Sequence, residues 1–132
     1  MHGSILVVDD DASVRGLVAR ILRSWGHVVI GEAGSVADAY AYADAYAYAY
    51  ADARRPTIVL VDIGLPDGDG FSLTRQLQAK PWAIRVVVLS SDADPSNNAA
   101  AIRAGAIGFF PNDELLSPAL QRLIEDGADE EQ

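Results

Sequence analysis

Ile58-Val59-Leu60-Val61-Asp62-Ile63-Gly64-Leu65-Pro66-Asp67-Gly68-Asp69-Gly70 is the stretch that decides the fold of this chain. Four apolar residues, mostly β-branched, run straight into a carboxylate, and a turn rich in Gly, Pro and Asp follows at once. A continuous apolar run of this kind is the pattern of a strand covered on both faces, most naturally in a parallel sheet. Asp62 then stands at the strand's C-terminal end, where open α/β sheets place their ligands. Taken alone, Asp62 could equally begin a turn or cap a helix.

A second acidic strand end lies upstream. Ser4 to Val8 is a short apolar run that stops at Asp9-Asp10-Asp11. Beyond it, Val14, Leu17, Val18, Ile21 and Leu22 recur at helical spacing, with Asp11 placed to cap the helix and Gly26 to stop it. Val28 to Ile30 reads as a second strand. Ala33 to Arg55 carries an Ala/Tyr/Asp repeat whose strict alternation imitates a strand. Alanine at every second position favours a helix instead, capped by Ser35 and ended by Arg54-Arg55 before Pro56. Its tyrosines fit boundary packing or, if exposed, a stripe for self-association. Phe71 to Ala79 predicts a helix, Ile84 to Leu89 a strand ending in Ser90, and Pro95 to Ala104 a helix stopped by Gly105. Ala106 to Phe110 predicts a fifth strand and Asp113 to Ile124 the last helix. Strands alternating with helices imply α/β architecture: a flavodoxin-like (βα)5 doubly wound five-stranded parallel sheet, order 2-1-3-4-5, with an extended second helix. Residues 1–124 form the expected domain, and 125–132 an acidic tail or the start of a linker.

Composition narrows the function. The chain of 132 residues is half hydrophobic and can bury one core, and with no cysteine it has neither disulfides nor thiolate metal sites. No apolar run reaches the ~18 residues of a membrane span, and the N-terminal residues lack the basic region and cleavage site expected of a signal peptide. A cytoplasmic setting is the expectation. The net charge of −9 argues against direct nucleic-acid binding by this domain. His2, in the tail, and His27, at a turn, are poorly placed for catalysis.

If the first and third strands are neighbours, Asp9, Asp10 and Asp62 converge at one crevice. Three carboxylates together repel, and a divalent cation relieves the repulsion; Mg2+ (or Mn2+) suits carboxylates plus water. Beside such a metal a carboxylate can act as nucleophile toward a phosphoryl group. Ser90 could donate its hydroxyl to a phosphoryl oxygen, or simply end its strand. Asp67-Gly68-Asp69-Gly70 lacks the remaining ligands of a calcium loop and reads as a turn.

Four pieces in this order and spacing resemble the bacterial response-regulator receiver domain of two-component signalling: Ile5–Asp11, Leu60–Pro66 with Asp69-Gly70, Val88–Ser91, and Ala104–Phe109. The resemblance implies that Asp62 is the phosphoacceptor, supplied by a sensor histidine kinase or a phosphotransfer protein. It makes Asp10, with Asp9, the carboxylate part of the metal site, and the Gly64 backbone carbonyl a further ligand. Ser90 takes the hydroxyl switch position and Phe109 the aromatic one. Such a domain is a phosphoacceptor with self-phosphorylation and autodephosphorylation rather than a conventional enzyme. It acts on a downstream protein or a covalently linked output domain. A homodimer through the fourth helix, fifth strand and fifth helix is common among relatives.

The chain departs from the family where a lysine is expected three residues after the switch aromatic; Asn112 stands there. Asn112 carries no charge, so weaker stabilisation of the phosphorylated state is expected. The competing function is therefore a degenerate receiver acting as a phosphorylation-independent protein-interaction module. A metal-dependent phosphatase would need a general acid, and the sequence offers no candidate. The residues two after Asp62 and Ser90, Gly64 and Asp92, occupy the places where relatives tune access of the attacking water.

Overall fold

The computed structural model describes residues 4–47, 56–80, 84–90, 94–114 and 117–130. Five strands, β1 (Ser4–Val8), β2 (Val28–Ala33), β3 (Ile58–Asp62), β4 (Arg85–Ser90) and β5 (Gly108–Pro111), form one parallel sheet in the order β2-β1-β3-β4-β5. The helices are α1 (Ala12–Ser24), α2 (Val36–Ala47), α3 (Gly70–Gln78), α4 (Pro95–Ala104) and α5 (Pro118–Glu130). The expected architecture and strand order are those found.

Alternation along the central strands divides the core into two layers. Leu6 and Val8, Val59 and Val61, Val86 and Val88 face one side, where they pack with Leu73 and Leu77 of α3 and Ala101 of α4. Ile5 and Val7, Ile58 and Leu60, Val87 and Leu89 face the other and meet Val18 and Leu22 of α1 and Leu120 and Ile124 of α5. Both faces are covered, which is why the strands read as unbroken apolar runs.

Caps set several helix boundaries. Asp11 accepts from the amides of Ser13 (2.9 Å) and Val14 (3.2 Å), and Trp25 and Gly26 (φ 91°) close α1. Asp69 caps α3 through the Ser72 amide at 2.7 Å. Gly105, at φ 106°, ends α4 in the left-handed conformation that glycine adopts without penalty.

Other boundaries differ from the sequence expectation. β2 runs three residues past Ile30, because Gly31, Glu32 and Ala33 continue the ladder with Leu6, Val7 and Val8; pairing overrides the helix preference of alanine. The last helix opens at Pro118 rather than Asp113, with the Ser117 hydroxyl accepting from the Leu120 amide at 3.2 Å, and a short 3-10 turn at Asn112–Glu114 precedes it. It runs on to Glu130, so most of the expected tail is helical. Ser35 caps α2 as expected, accepting from the Asp38 amide at 3.0 Å. The second half of the Ala/Tyr/Asp repeat, with Tyr48, Tyr50 and Arg54-Arg55, lies outside the described residues, as does Asp92.

The repeat contributes one lock within its described part. The β1–β2 register slips between Ile5 and Leu6, which face Val29 and Gly31, so Ile30 is the extra residue of a bulge. The Tyr42 hydroxyl donates to the Ile30 carbonyl, and its ring covers Gly31 so closely that a Cβ there would overlap it. Tyr42 is thus boundary packing, whereas Tyr40 is exposed with the Lys80 ammonium 4.2 Å over its ring. Tyr42→Phe keeps the ring and removes the donor; we expect a loss of about 1 kcal/mol in urea unfolding, the net worth of one hydrogen bond.

Candidate functional site

The site forms where the apolar strands run out. β1 and β3 are adjacent, with Val8 opposite Val61, so Asp9, Asp10 and Asp62 leave the sheet at one edge. Asp9 continues the parity of Ile5 and Val7, and Asp62 that of Ile58 and Leu60. Both therefore emerge toward the same side. One carboxylate oxygen from each of Asp9, Asp10 and Asp62 lies within 4.8 Å of the others, a spacing that a single cation can span. Asp9 is buried, Asp62 half-buried and Asp10 exposed, so the cluster opens to solvent on one side.

The electrostatics match this crowding. Burial, followed by the charges of Asp9 and Asp10, pushes the Asp62 carboxyl up to about 6, against the opposing backbone amides of Gly64 and Ile63. Burial also raises Asp9, opposed by the amide of Asp11, which donates to Asp9 Oδ1 at 2.9 Å, and by the charge of Arg15. The charges that raise Asp62 are those of Asp9 and Asp10. A cation among these carboxylates removes both the repulsion and part of the desolvation cost, and the oxygen-only donor set suits Mg2+ or Mn2+.

The loop after β3 is held from three sides. Gly64-Leu65 and Gly68-Asp69 pair as a tiny antiparallel hairpin, so the expected turn is a hairpin end. Gly70 lies under the β3 terminus; a Cβ there would come within 2.8 Å of the Asp62 carbonyl oxygen and 2.9 Å of Ile63 Cα. Asp67, exposed at the hairpin tip, accepts from the Val36 and Ala37 amides at 2.7 and 2.9 Å. These two bonds hold its carboxyl below the usual range and tie the loop to the start of α2. Gly64 is exposed beside the carboxylate: a Cβ would stand 3.9 Å from Asp62 Oδ2, so the position has room for a side chain but presents none.

The remaining expected site residues lie on the neighbouring strands. Ser90 ends β4 and is 1% exposed. Phe109 pairs with Val88 and packs against the α3/α4 layer, the face that Ser90 shares by its parity with Val86 and Val88. Asn112 follows β5 at the same edge of the sheet, since Ser90 stands opposite Pro111. Asn112 Oδ1 is buried with no hydrogen-bond partner among the described residues.

Sequence reasoning missed Arg15 and Asp67. Arg15 Nη1 donates to the Asp9 carbonyl oxygen at 2.7 Å, and its Nε to Glu32 Oε1 at 3.2 Å. Its place four residues after Asp11, in the first turns of α1, was a usable signal. The partnership of Asp67 with residues 30 and 31 positions upstream was not.

Comparison with known proteins places the family and the fold. The family model described as the response regulator receiver domain matches residues 5–115. The chain is 35% identical over 123 residues to the DNA-binding transcriptional activator DevR/DosR of Mycobacterium tuberculosis, covering 92% of this chain and 52% of that protein. It is 34% identical over 108 residues to the KDP operon transcriptional regulatory protein KdpE of Escherichia coli, covering 81% of this chain and 43% of that one. The chain thus spans about half the length of these curated relatives or less. Among solved structures, the two-component response regulator of the LuxR family from Aurantimonas superposes with a TM-score of 0.75 at 25% identity, covering 99% of this chain and 98% of that one. The response regulator domain of Thermotoga maritima CheB gives a TM-score of 0.80 at 22% identity, with 98% of each chain covered, and speaks for the fold alone. Among the described residues, no helix is long and apolar enough to cross a membrane.

Proposed function

Because this chain belongs to the response-regulator receiver family of two-component signalling, we propose that it is a phosphorylation switch whose acceptor is Asp62. The observation that carries the proposal is the convergence of Asp9, Asp10 and Asp62. A carboxyl raised only to about 6 is mainly ionised at neutral pH, so Asp62 can act as nucleophile there. The donor is a phosphohistidine of a sensor kinase or phosphotransfer protein, or a small phosphodonor. An Asp62 oxygen attacks phosphorus, the P–N bond breaks, its electron pair stays on the imidazole nitrogen, and that nitrogen takes a proton. Asp10 and Asp62, with Asp9 and the Gly64 carbonyl, would hold Mg2+ (or Mn2+), which when bound neutralises charge on the transferring phosphoryl group.

The rest of the site reads the new charge. The Ser90 hydroxyl turns toward a phosphoryl oxygen, and Phe109, on the same face of the next strand, follows into the space vacated. The equilibrium of the α4-β5-α5 face shifts toward the active conformation. The output is a downstream protein or a covalently linked domain. The relatives' extra length gives the second option room, and the acidic charge of this domain keeps nucleic-acid contact out of its own role.

A second reading rests on Asn112. With no ammonium at that position, phosphorylation and the Ser90–Phe109 switch can be uncoupled, leaving a constitutive interaction module. Intact mass after incubation with a small phosphodonor and Mg2+ separates the readings. We expect a gain of one phosphoryl group in the wild type and none in Asp62→Asn. An unchanged wild-type mass together with no Mg2+ binding would overturn the switch and leave the module.

A further inference from the structure

We infer that Arg15 is a positioning residue for the acidic site: it fixes the Asp9–Asp10 peptide so that the two β1-end carboxylates meet Asp62. This inference rests on the metal-dependent reading above. Asp9 is held at three points. Its amide donates to the Ala33 carbonyl at 3.0 Å, its carbonyl accepts from Arg15 Nη1 at 2.7 Å, and its Oδ1 accepts from the Asp11 amide at 2.9 Å. The carbonyl oxygen lies in the plane of the Asp9–Asp10 peptide, so the guanidinium sets the direction in which the Asp10 chain leaves β1. Glu32 holds the guanidinium in turn, from the strand beside β1, where it pairs in register with Val7. A Cβ at Gly34 would stand 3.3 Å from Nη1, so the side-chain-free Gly34 leaves room for the guanidinium. One planar fork thereby links α1, β2 and the end of β1, a task that its geometry suits and a lysine's single head does not.

The alternative role for Arg15 is charge alone, and the two roles have opposite signs. A bare cation near the cluster repels Mg2+, so removing it would tighten Mg2+ binding. A positioning residue preorganises the ligands, so removing it weakens binding, characteristically by tenfold or more when the group orients a ligand rather than touching the metal. The geometry favours the second. The short contact of Arg15 is to a carbonyl oxygen, whose direction it fixes, and its Nε is taken up by Glu32, which offsets its charge.

Calorimetric titration with Mg2+ on the intact chain tests this, with the rate of phosphorylation by a small phosphodonor measured across Mg2+ concentration. For Arg15→Met we expect Mg2+ binding weakened roughly tenfold. The half-saturating Mg2+ should rise in parallel, with a maximal rate within about twofold of wild type and thermal unfolding without Mg2+ within a few degrees. Arg15→Lys should recover part of the affinity, and Glu32→Gln should show a smaller loss in the same direction. Unchanged or tighter Mg2+ binding in Arg15→Met, or a fallen maximal rate that high Mg2+ does not restore, would overturn the inference. Should the wild type itself neither bind Mg2+ nor take up a phosphoryl group, the metal-dependent reading falls and this inference with it. A wild type that does both isolates Arg15 as the only question.

Discussion

At pH 7 and without divalent cations, Asp62→Asn is expected to be more stable than the wild type by about 1–2 kcal/mol, although it removes the proposed acceptor. The Asp62 carboxyl is raised from 3.8 to about 6 by burial and by Asp9. The charged form is therefore worse off in the folded chain than in the unfolded one. The cost is absent below about pH 4, where the group is protonated in both states, grows as pH rises toward 6, and is complete near pH 7. A shift of this size corresponds to about 3 kcal/mol at most, and solvent reaching a half-buried group reduces it to about 1–2. Asparagine keeps the shape and an acceptor for one of the Gly64 and Ile63 amides without the charge. Urea unfolding at pH 7 and at pH 4 checks this: the gain should appear at the first and shrink to a small fraction at the second. Saturating Mg2+ should shrink or reverse the gain, because the wild type then recovers what its carboxylates lose to mutual repulsion.

That instability was half legible in the chain. Two apolar runs ending in Asp9 and Asp62 read as strands with carboxylates at their C-terminal ends, and the expected order 2-1-3-4-5 makes those strands neighbours. Ser90 read as a strand end from the same pattern and is one, whereas its switch position and that of Phe109 came only from the family resemblance. What could not be read is what reaches across the fold. Asp67 bonds amides of α2, Tyr42 closes a bulge at Ile30, and Arg15 joins β2 to β1. Each pairing depends on where a helix docks over the sheet, which local periodicity does not encode. The boundary errors share this origin. Ala33 prefers a helix and sits in a strand because Val8 offers it a ladder, and α5 waits for Ser117 and Pro118 because the residues after β5 first make a 3-10 turn.

The substitution with the largest expected gain in signalling is Asn112→Lys. Asp9 and Asp10 both push the Asp62 carboxyl up, and Asn112 brings a buried acceptor without a partner among the described residues. An ammonium at about 4 Å from a phosphoryl oxygen, at an effective dielectric near 20, is worth about 4 kcal/mol before desolvation. Taking the ammonium out of water costs several kcal/mol less the relief of the three carboxylates, so a net gain of about 1–2 kcal/mol is the reasonable remainder. That is roughly a 5- to 30-fold rise in phosphorylated over unphosphorylated chain at fixed phosphodonor, read by intact mass. The Asp62 carboxyl should also move back toward the ordinary carboxylate range, so the variant's stability should fall less between pH 4 and pH 7 than the wild type's. A rise in phosphorylated fraction without any change at Phe109 by fluorine NMR of a labelled ring would mean that acceptor and switch are separately wired. No rise at all, in a wild type that is already phosphorylated, would mean that the metal and the backbone amides complete charge neutralisation unaided. Asn112 would then mark a receiver that signals without the ammonium rather than one that has lost its signal.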